Sequence, residues 1–512
     1  MRLVSLPLVV ATGAALLEPA AAGKSHPKHP KAKNFIYVVP DGYGIASQVL
    51  ARDYYSLTDG EGTVERPNAA RIGVDSMMIG SVRTYSSDNL VTDSAASGTA
   101  FACGIKTYNG AIGVDDDGMP VGSILEAAHL NGLKTGMVVT SRITHATPAS
   151  YSAHVLDRDS EIEIAAQQIG YTHPIGSLVD LLIGGGRRFY LPKDKGGDRE
   201  DGVDLIEWAV EQGYTYAADR GDLEEVLKGG KLPLPFLGLL ASSHLDYEMD
   251  RNPEEQPSLK KLVETGLNTL AGHTKKSKKG YFLMVEASRI DHAAHGNDAA
   301  AHVHETLMFN EVMAYLKEYV AEHPDTQLLS AADHECGGLT LEDNYNPTVL
   351  TQAQNSGELL ADLFDDEAGD DKAAYLRDQM PLYGLSNVTD EDIAHFLAVY
   401  EEGGALTMGS EITNAFAAEA GLHFSTTGHT AADVQLHGFA ADRHVVEYMR
   451  DTLGGNINNI ELPRYVEKAL GVNMEKVTKL LRKNGVDWIE RRDLLDVIKR
   501  DNAEAKKHTH HH

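Results

Sequence analysis

Cysteine is scarce, positive charge is in deficit, and no long hydrophobic run occurs beyond the first seventeen residues. Cys103 and Cys336 are the two cysteines in 512 residues. They exclude a disulfide-built scaffold and allow at most one bridge, and neither spacing nor context pairs them. Lys and Arg number 46 against 75 Asp and Glu, a formal net charge of −29. A surface of that sign repels nucleic acid and anionic membrane, which argues against either as a natural partner. No segment after Leu17 is apolar enough to span a bilayer.

What is present is a globular composition, 42% hydrophobic and 24% charged. The length suits one large α/β domain with insertions, or two or three smaller ones. Met1-Arg2, an apolar stretch from Leu3 to Leu17 and Ala20-Ala21-Ala22-Gly23 make a basic n-region, an h-region and a cleavage signal. Residues 1–22 are therefore predicted to be a signal peptide, and the mature protein to be secreted, with a vacuolar or periplasmic lumen as the alternative. The sequon Asn387-Val388-Thr389 is compatible with a eukaryotic glycoprotein. Residues 23–34 are Lys-, His- and Pro-rich and read as a flexible segment, and 501–512 as a disordered His-rich tail.

One stretch carries a nucleophile. In Val91-Thr92-Asp93-Ser94-Ala95-Ala96-Ser97-Gly98-Thr99-Ala100, Asp93 and Ser94 are good helix-capping residues, and the small residues after them make a slim helix start. A hydroxyl on Ser94 would lie beside unpaired backbone donors and the positive end of the helix dipole, where an oxyanion or phosphate is stabilised. Taken alone the same stretch also reads as an ordinary capped helix.

Around it runs a βαβ rhythm. Strands are predicted at Phe35–Val39, at Lys134–Thr140, near Val179–Ile183, at Tyr281–Val285 and at Thr326–Ser330, with a helix over Ile124–Leu130. Residues 195–280 mix charged helical patterns with turns and offer no recognisable chemistry. Between Asp343 and Ser425 the pattern breaks into acidic loops, read as an insertion outside the central sheet. Its acids form a solvated surface or, less readily, a calcium site. The last fifty residues read as helices packed on the outside.

Several predicted strands end in metal-ligating residues: Asp41 after the first, Glu286 with Asp291 and His295 after another, then Asp333-His334, and later His429. Asp291 and His295, four apart, share one face of a helical turn, as a common ion requires. Each alone is more often a cap or hydrogen-bonding residue; their repetition after strands is the signal.

Thr92-Asp93-Ser94-Ala95-Ala96-Ser97, Lys106-Thr107-Tyr108-Asn109-Gly110, Thr147-Pro148-Ala149, Ala332-Asp333-His334 and Gly428-His429-Thr430, in that order, resemble the alkaline phosphatase family. The resemblance runs from about Phe35 to Phe439 and is weakest over 195–280 and the insertion; Ser288-Arg289-Ile290-Asp291-His292 and Asp333-His334-Glu335-Cys336-Gly337-Gly338 look closest to fungal members. It implies an α/β fold, a large and mostly parallel sheet with helices on both faces and a crown-like insertion at 343–425, within one domain over 35–500. It implies hydrolysis of phosphate monoesters through a phosphoserine on Ser94, by a homodimer, with two zinc ions and one magnesium. Asp291, His295 and His429 would hold the first zinc; Asp41, Asp333, His334 and Ser94 Oγ the second; Asp41, Thr147 and Glu286 the magnesium. Arg158 would clamp two phosphate oxygens, oriented by Asp93. His145 stands where many bacterial members have aspartate, and His292 where some have lysine. Both are taken as neighbours of the magnesium and the phosphate rather than ligands. A phosphodiesterase or sulfatase of the same superfamily is the nearest alternative, and Arg158 with the Glu286 and Thr147 set favours the dianionic monoester. A scaffold without catalysis is disfavoured because Ser94 and Arg158 are both present.

Overall fold

A computed structural model describes residues 29–59, 62–67, 70–483 and 485–489. The signal peptide, residues 23–28 of the 23–34 segment and the His-rich tail lie outside the described residues. The strands in chain order are β1 (Asn34–Pro40), β2 (Met78–Arg83), β3 (Lys134–Arg142), β4 (Leu181–Gly185), β5 (Thr215–Ala217), β6 (Phe236–Leu239), β7 (Tyr281–Ala287) and β8 (Thr326–Ala331). The short β9 (Glu335–Cys336), β10 (Leu339–Leu341), β11 (Leu422–Phe424) and β12 (His429–Thr430) follow, then β13 (Val434–Ala440) and β14 (Gly455–Asn458). Ten of them form one sheet in the order β14-β2-β13-β8-β1-β7-β3-β4-β6-β5, in which only β13 runs antiparallel to its neighbours.

β1, β7 and β8 are buried at every position. That is why Phe35–Val39 and Tyr281–Val285 read as unbroken apolar runs instead of alternating ones: a parallel sheet covered on both faces has no solvent side. The expected strands appear at their places, four of them longer by one or two residues and β4 shifted by two. β2, β5, β6, β13 and β14 had no such signature, being short, Gly-bearing or at the rim. Of the last fifty residues, expected to be helical, the described ones include the end of the helix Glu461–Leu470 and the helix Met474–Leu481, and 490–512 lie outside the described residues.

The 343–425 region corrects one expectation. It supplies no strand to the large sheet, but it is not a set of loops: helices span Gly357–Glu367, Lys372–Gln379 and Asp390–Glu419. Leu360, Phe364, Leu376, Ile393, Phe396, Met408, Ile412 and Phe416 build a second hydrophobic core beneath them. The acids hid this because they occupy the outer faces and caps of amphipathic helices, with Ser356, Asp371 and Thr389 as N-caps. Cys103 and Cys336 are both buried free thiols.

Candidate active site

The strand order β8-β1-β7-β3 sets three chain segments side by side at one edge. β1 ends at Pro40, whose partner on β7 is Ala287. Asp41 follows at once, Glu286 is the penultimate residue of β7, and Asp333-His334 come two residues after β8. The carboxyl edge of a parallel sheet is where ligands bind in open α/β folds. Gly42 has φ +70°, and a Cβ there would meet Asp291 Cα at 2.7 Å, so only glycine lets the turn after β1 pass under the Asp291 helix. β12 pairs with β9, His429 opposite Cys336, which brings His429 back to the Asp333-His334 segment.

Ser94 opens the helix Ser94–Cys103, capped by Asp93, whose Oδ1 accepts from Ala96 N at 2.9 Å. All ten residues of this helix are buried, and a Cβ on Gly98 would stand 2.9 Å from Ser150 Oγ. The small side chains thus let the helix Ala146–Ser150, which carries Thr147, approach closely. Ser94 Oγ lies 3.1 Å from His334 Nε2.

The side chains converge in three overlapping groups: Asp291, His295, His429 and Cys336; Asp41, Asp333 and His334; and Asp41, Glu286 and His145. Asp41 belongs to two of them. His295 Nε2 and His429 Nε2 face each other at 3.0 Å. Each imidazole is aimed from behind, since His295 Nδ1 donates to Thr427 O at 2.5 Å and His429 Nδ1 to Thr92 O at 2.9 Å. Such backing leaves the Nε2 lone pairs for a shared cation. His334 Nε2 is 3.1 Å from Asp333 Oδ2, and Asp291 Oδ2 is 3.3 Å from His295 Nε2.

Buried carboxyls in this number repel one another. Burial first, then Asp333, Asp291 and Glu286, pushes the Asp41 carboxyl well above its usual range. Burial chiefly pushes Glu286 and Asp333 up to about 7. Asp291 goes the other way: burial opposes it, but His295, His429 and His334 hold it well below the usual carboxylate range. Asp41 Oδ1 and Oδ2, Glu286 Oε1, Asp291 Oδ1 and Thr147 Oγ1 are buried without a hydrogen-bond partner. Orphaned oxygens of this kind are destabilising unless a cation satisfies them. Carboxylate, imidazole and hydroxyl donors are the set that zinc and magnesium take, so the residues fit the expected ions.

Arg158 stands at the mouth, partly exposed. Its Nη1 donates to Asp93 Oδ2 at 3.2 Å and its Nη2 lies 3.1 Å from His145 Nε2. The ring of His292 is 5.3 Å from that of His145. Every residue expected at the site is therefore gathered at one edge.

Several further residues were not anticipated. Cys336 Sγ joins the Asp291 group. Ser288 Oγ and Ser141 Oγ donate to Glu286 Oε2 at 2.6 and 3.1 Å. His244, from the stretch thought to lack chemistry, lies 4.3 Å ring to ring from His292. Adjacency to Glu286 and to His334 was the available signal for Ser288 and Cys336; His244 had none.

An edge of this make supports water-driven bond cleavage with divalent ions, which places the chain among the metal-dependent α/β hydrolases. A family model described as alkaline phosphatase matches residues 32–472. The chain belongs to the alkaline phosphatase family, and its reaction is phosphate monoester hydrolysis. It is 40% identical to the repressible alkaline phosphatase of Saccharomyces cerevisiae over 88% of this chain and 84% of that one. Against an alkaline phosphatase of Schizosaccharomyces pombe the identity is 38%, over 90% and 85%. The crystal structure of Thermus thermophilus alkaline phosphatase superposes with a TM-score of 0.72 at 27% identity, covering 92% of this chain and 100% of that one. No helix among the described residues is long and apolar enough to cross a membrane.

Proposed function

We propose that hydrolysis runs through a phosphoserine on Ser94, with two zinc ions and one magnesium at the sheet edge. Asp291, His295 and His429 would hold one zinc, and Asp41, Asp333 and His334, with Ser94 Oγ, the other. Asp41, Thr147 and Glu286 would hold magnesium. The observation that carries this reading is the position of Ser94 Oγ, 3.1 Å from His334 Nε2 at a buried helix start, among carboxylate oxygens that have no other partner. When bound, the ions supply Lewis acidity that lowers the serine hydroxyl pKa and offsets charge on the oxygens entering and leaving.

The chain's own residues do the rest. Arg158 presents a planar guanidinium to two phosphate oxygens. Asp93 couples nucleophile and clamp: one oxygen caps the Ser94 helix while the other accepts from Arg158 Nη1 and from Gly110 N at 3.0 Å. Ser94 Oγ attacks phosphorus in line, the bond to the substrate oxygen breaks, and the alcohol departs with a proton. Water then attacks the phosphoserine, the Ser94 oxygen regains a proton, and inorganic phosphate is released. His334, driven down to about 4 chiefly by burial, is neutral at working pH and serves as a ligand instead of a base. The same reading includes secretion after removal of residues 1–22, glycosylation at the exposed Asn387, and a homodimer.

The test is turnover of an aryl phosphate monoester at alkaline pH, before and after chelation, then with zinc and magnesium restored, beside matched diester and sulfate substrates. Monoester activity that vanishes on chelation and returns with both ions supports the reading. Phosphate trapped on Ser94, located by peptide mass spectrometry after acid quench, supports the intermediate. Label on another residue, or faster turnover of the diester or sulfate, would sink it.

A further inference from the structure

A second group of metal-binding side chains lies away from this site. Glu126 on the helix Ile124–Leu130, His154 and His173 each turn one ligand atom to a common point. Their side chains are 0–1% exposed. Glu126 Oε1 stands 3.2 Å from His154 Nε2 and 3.1 Å from His173 Nε2. Donors about 2.0–2.1 Å from a tetrahedral ion stand about 3.3–3.4 Å from one another, so little movement separates this spacing from ligation.

The atoms behind these donors hold them in place. Ser123 N donates to Glu126 Oε2 at 2.7 Å, which leaves Oε1 facing inward. His154 Nδ1 donates to Gly113 O at 2.7 Å, the backing that presents an Nε2 lone pair to a metal. His154 Nε2 faces Glu126 Oε1 at 3.2 Å. His173 Nε2 is buried and has Glu126 Oε1 as its near neighbour, at 3.1 Å. Ligation there moves the ring proton to Nδ1, replacing the contact with Glu126 by a shared ion and giving up the long 3.3 Å bond accepted from Ile175 N. Burial favours the neutral form of His173. Burial opposes ionisation of Glu126, but His154 and then His173 outweigh it and hold that carboxyl below its ordinary value.

We infer that Glu126, His154 and His173 bind a zinc ion separate from the catalytic ones. Two imidazoles and one carboxylate favour a borderline transition ion over magnesium or calcium. The Trp488 ring closes the site, 5.7 Å from His154 and 5.9 Å from His173. The role is structural. Val155, next to His154, bridges Ile112, and Arg158 N donates to Gly110 O at 2.8 Å. The ion therefore ties the helix bearing Glu126 to the two segments that seat the phosphate clamp and Asp93.

The experiment is zinc per chain by inductively coupled plasma mass spectrometry on the full chain, loaded with zinc and magnesium and freed of excess metal. Wild type is expected to hold one zinc more per chain than His173→Asn. An error in the catalytic metal count moves both proteins together and leaves that difference intact. His173→Gln replaces His173→Asn if only the former keeps the wild-type circular dichroism spectrum. In a Trp208→Phe background, cobalt added to the chelated protein is expected to quench Trp488 fluorescence, and to do so much less once His173 is replaced. Equal zinc content with equal quenching overturns the inference and leaves a hydrogen-bonded ion pair in its place.

Discussion

Asp41, Glu286, Asp291 and Asp333 at the sheet edge are at most 2% exposed, whereas Asp362, Asp365, Asp366, Glu367, Asp370 and Asp371 in the helical insertion face solvent. Both groups consist of acids crowded together. The first lies beneath the ends of buried strands, where oxygens cannot reach water and some of them, such as both of Asp41, have no hydrogen-bond partner. The second rides on helices whose inner faces bury Leu360, Phe364 and Leu376, so its charges need no counter-ion. An acid's role follows from what its neighbours bury, and acid density alone says little about metal binding.

The contrast can be tested hardest at Ser94. Ser94→Ala is expected to lower kcat/KM for an aryl phosphate by about 10^4-fold or more while leaving thermal stability near wild type. In the insertion the large effect should come from the hidden apolar side: Phe364→Ala is expected to destabilise by about 3–5 kcal/mol in denaturant unfolding. Arg158→Lys replaces a two-pronged donor with a point charge. It should cost about 1.5–3 kcal/mol of transition-state stabilisation, read as a fall in kcat/KM of about 10- to 150-fold.

A pH effect of a few degrees separates the two clusters further. In chelated protein Glu286 and Asp333 titrate near 7 when folded, above their ordinary values of 4.5 and 3.8. The folded chain then binds more protons than the unfolded one, so stability is greatest on the acid side and is lost as pH rises through 7. Buried His302 and His437, lowered to about 4 from 6.5, carry protons only in the unfolded chain near pH 6.5 and oppose that trend, so it is read against metal-loaded protein, in which the same histidines are present. Relative to protein loaded with zinc and magnesium, the melting temperature of chelated protein should fall between pH 6.5 and 8. A flat difference between the two would contradict the crowding described here. The smallest effect belongs to the exposed acids: Asp370→Asn should change stability by less than about 0.5 kcal/mol, and added calcium should leave the melting temperature unmoved.

The central strands were legible because burial on both faces makes them unbroken apolar runs, and the site because its ligands follow those strands directly. Rim strands such as β5 and β14 carry too few apolar residues to signal themselves. The insertion's helices were obscured by acids on their outer faces. His244 reaches the site through tertiary contact, from a position that no local pattern marks. His173 was illegible for the same reason: 47 residues separate it from Glu126, and only the fold joins them.

The place of β1 has a consequence for synthesis. Its hydrogen-bonding neighbours are β7 and β8, which begin at Tyr281 and Thr326. The apolar run Phe35–Val39 therefore leaves the ribosome more than two hundred residues before either partner exists. At about 5–20 residues per second it waits on the order of ten seconds or more with both edges unpaired. Nascent chains are thus most vulnerable to aggregation before residue 331 is made, and holdase chaperones that mask Phe35–Val39 should raise the yield of folded protein more than any factor acting after release.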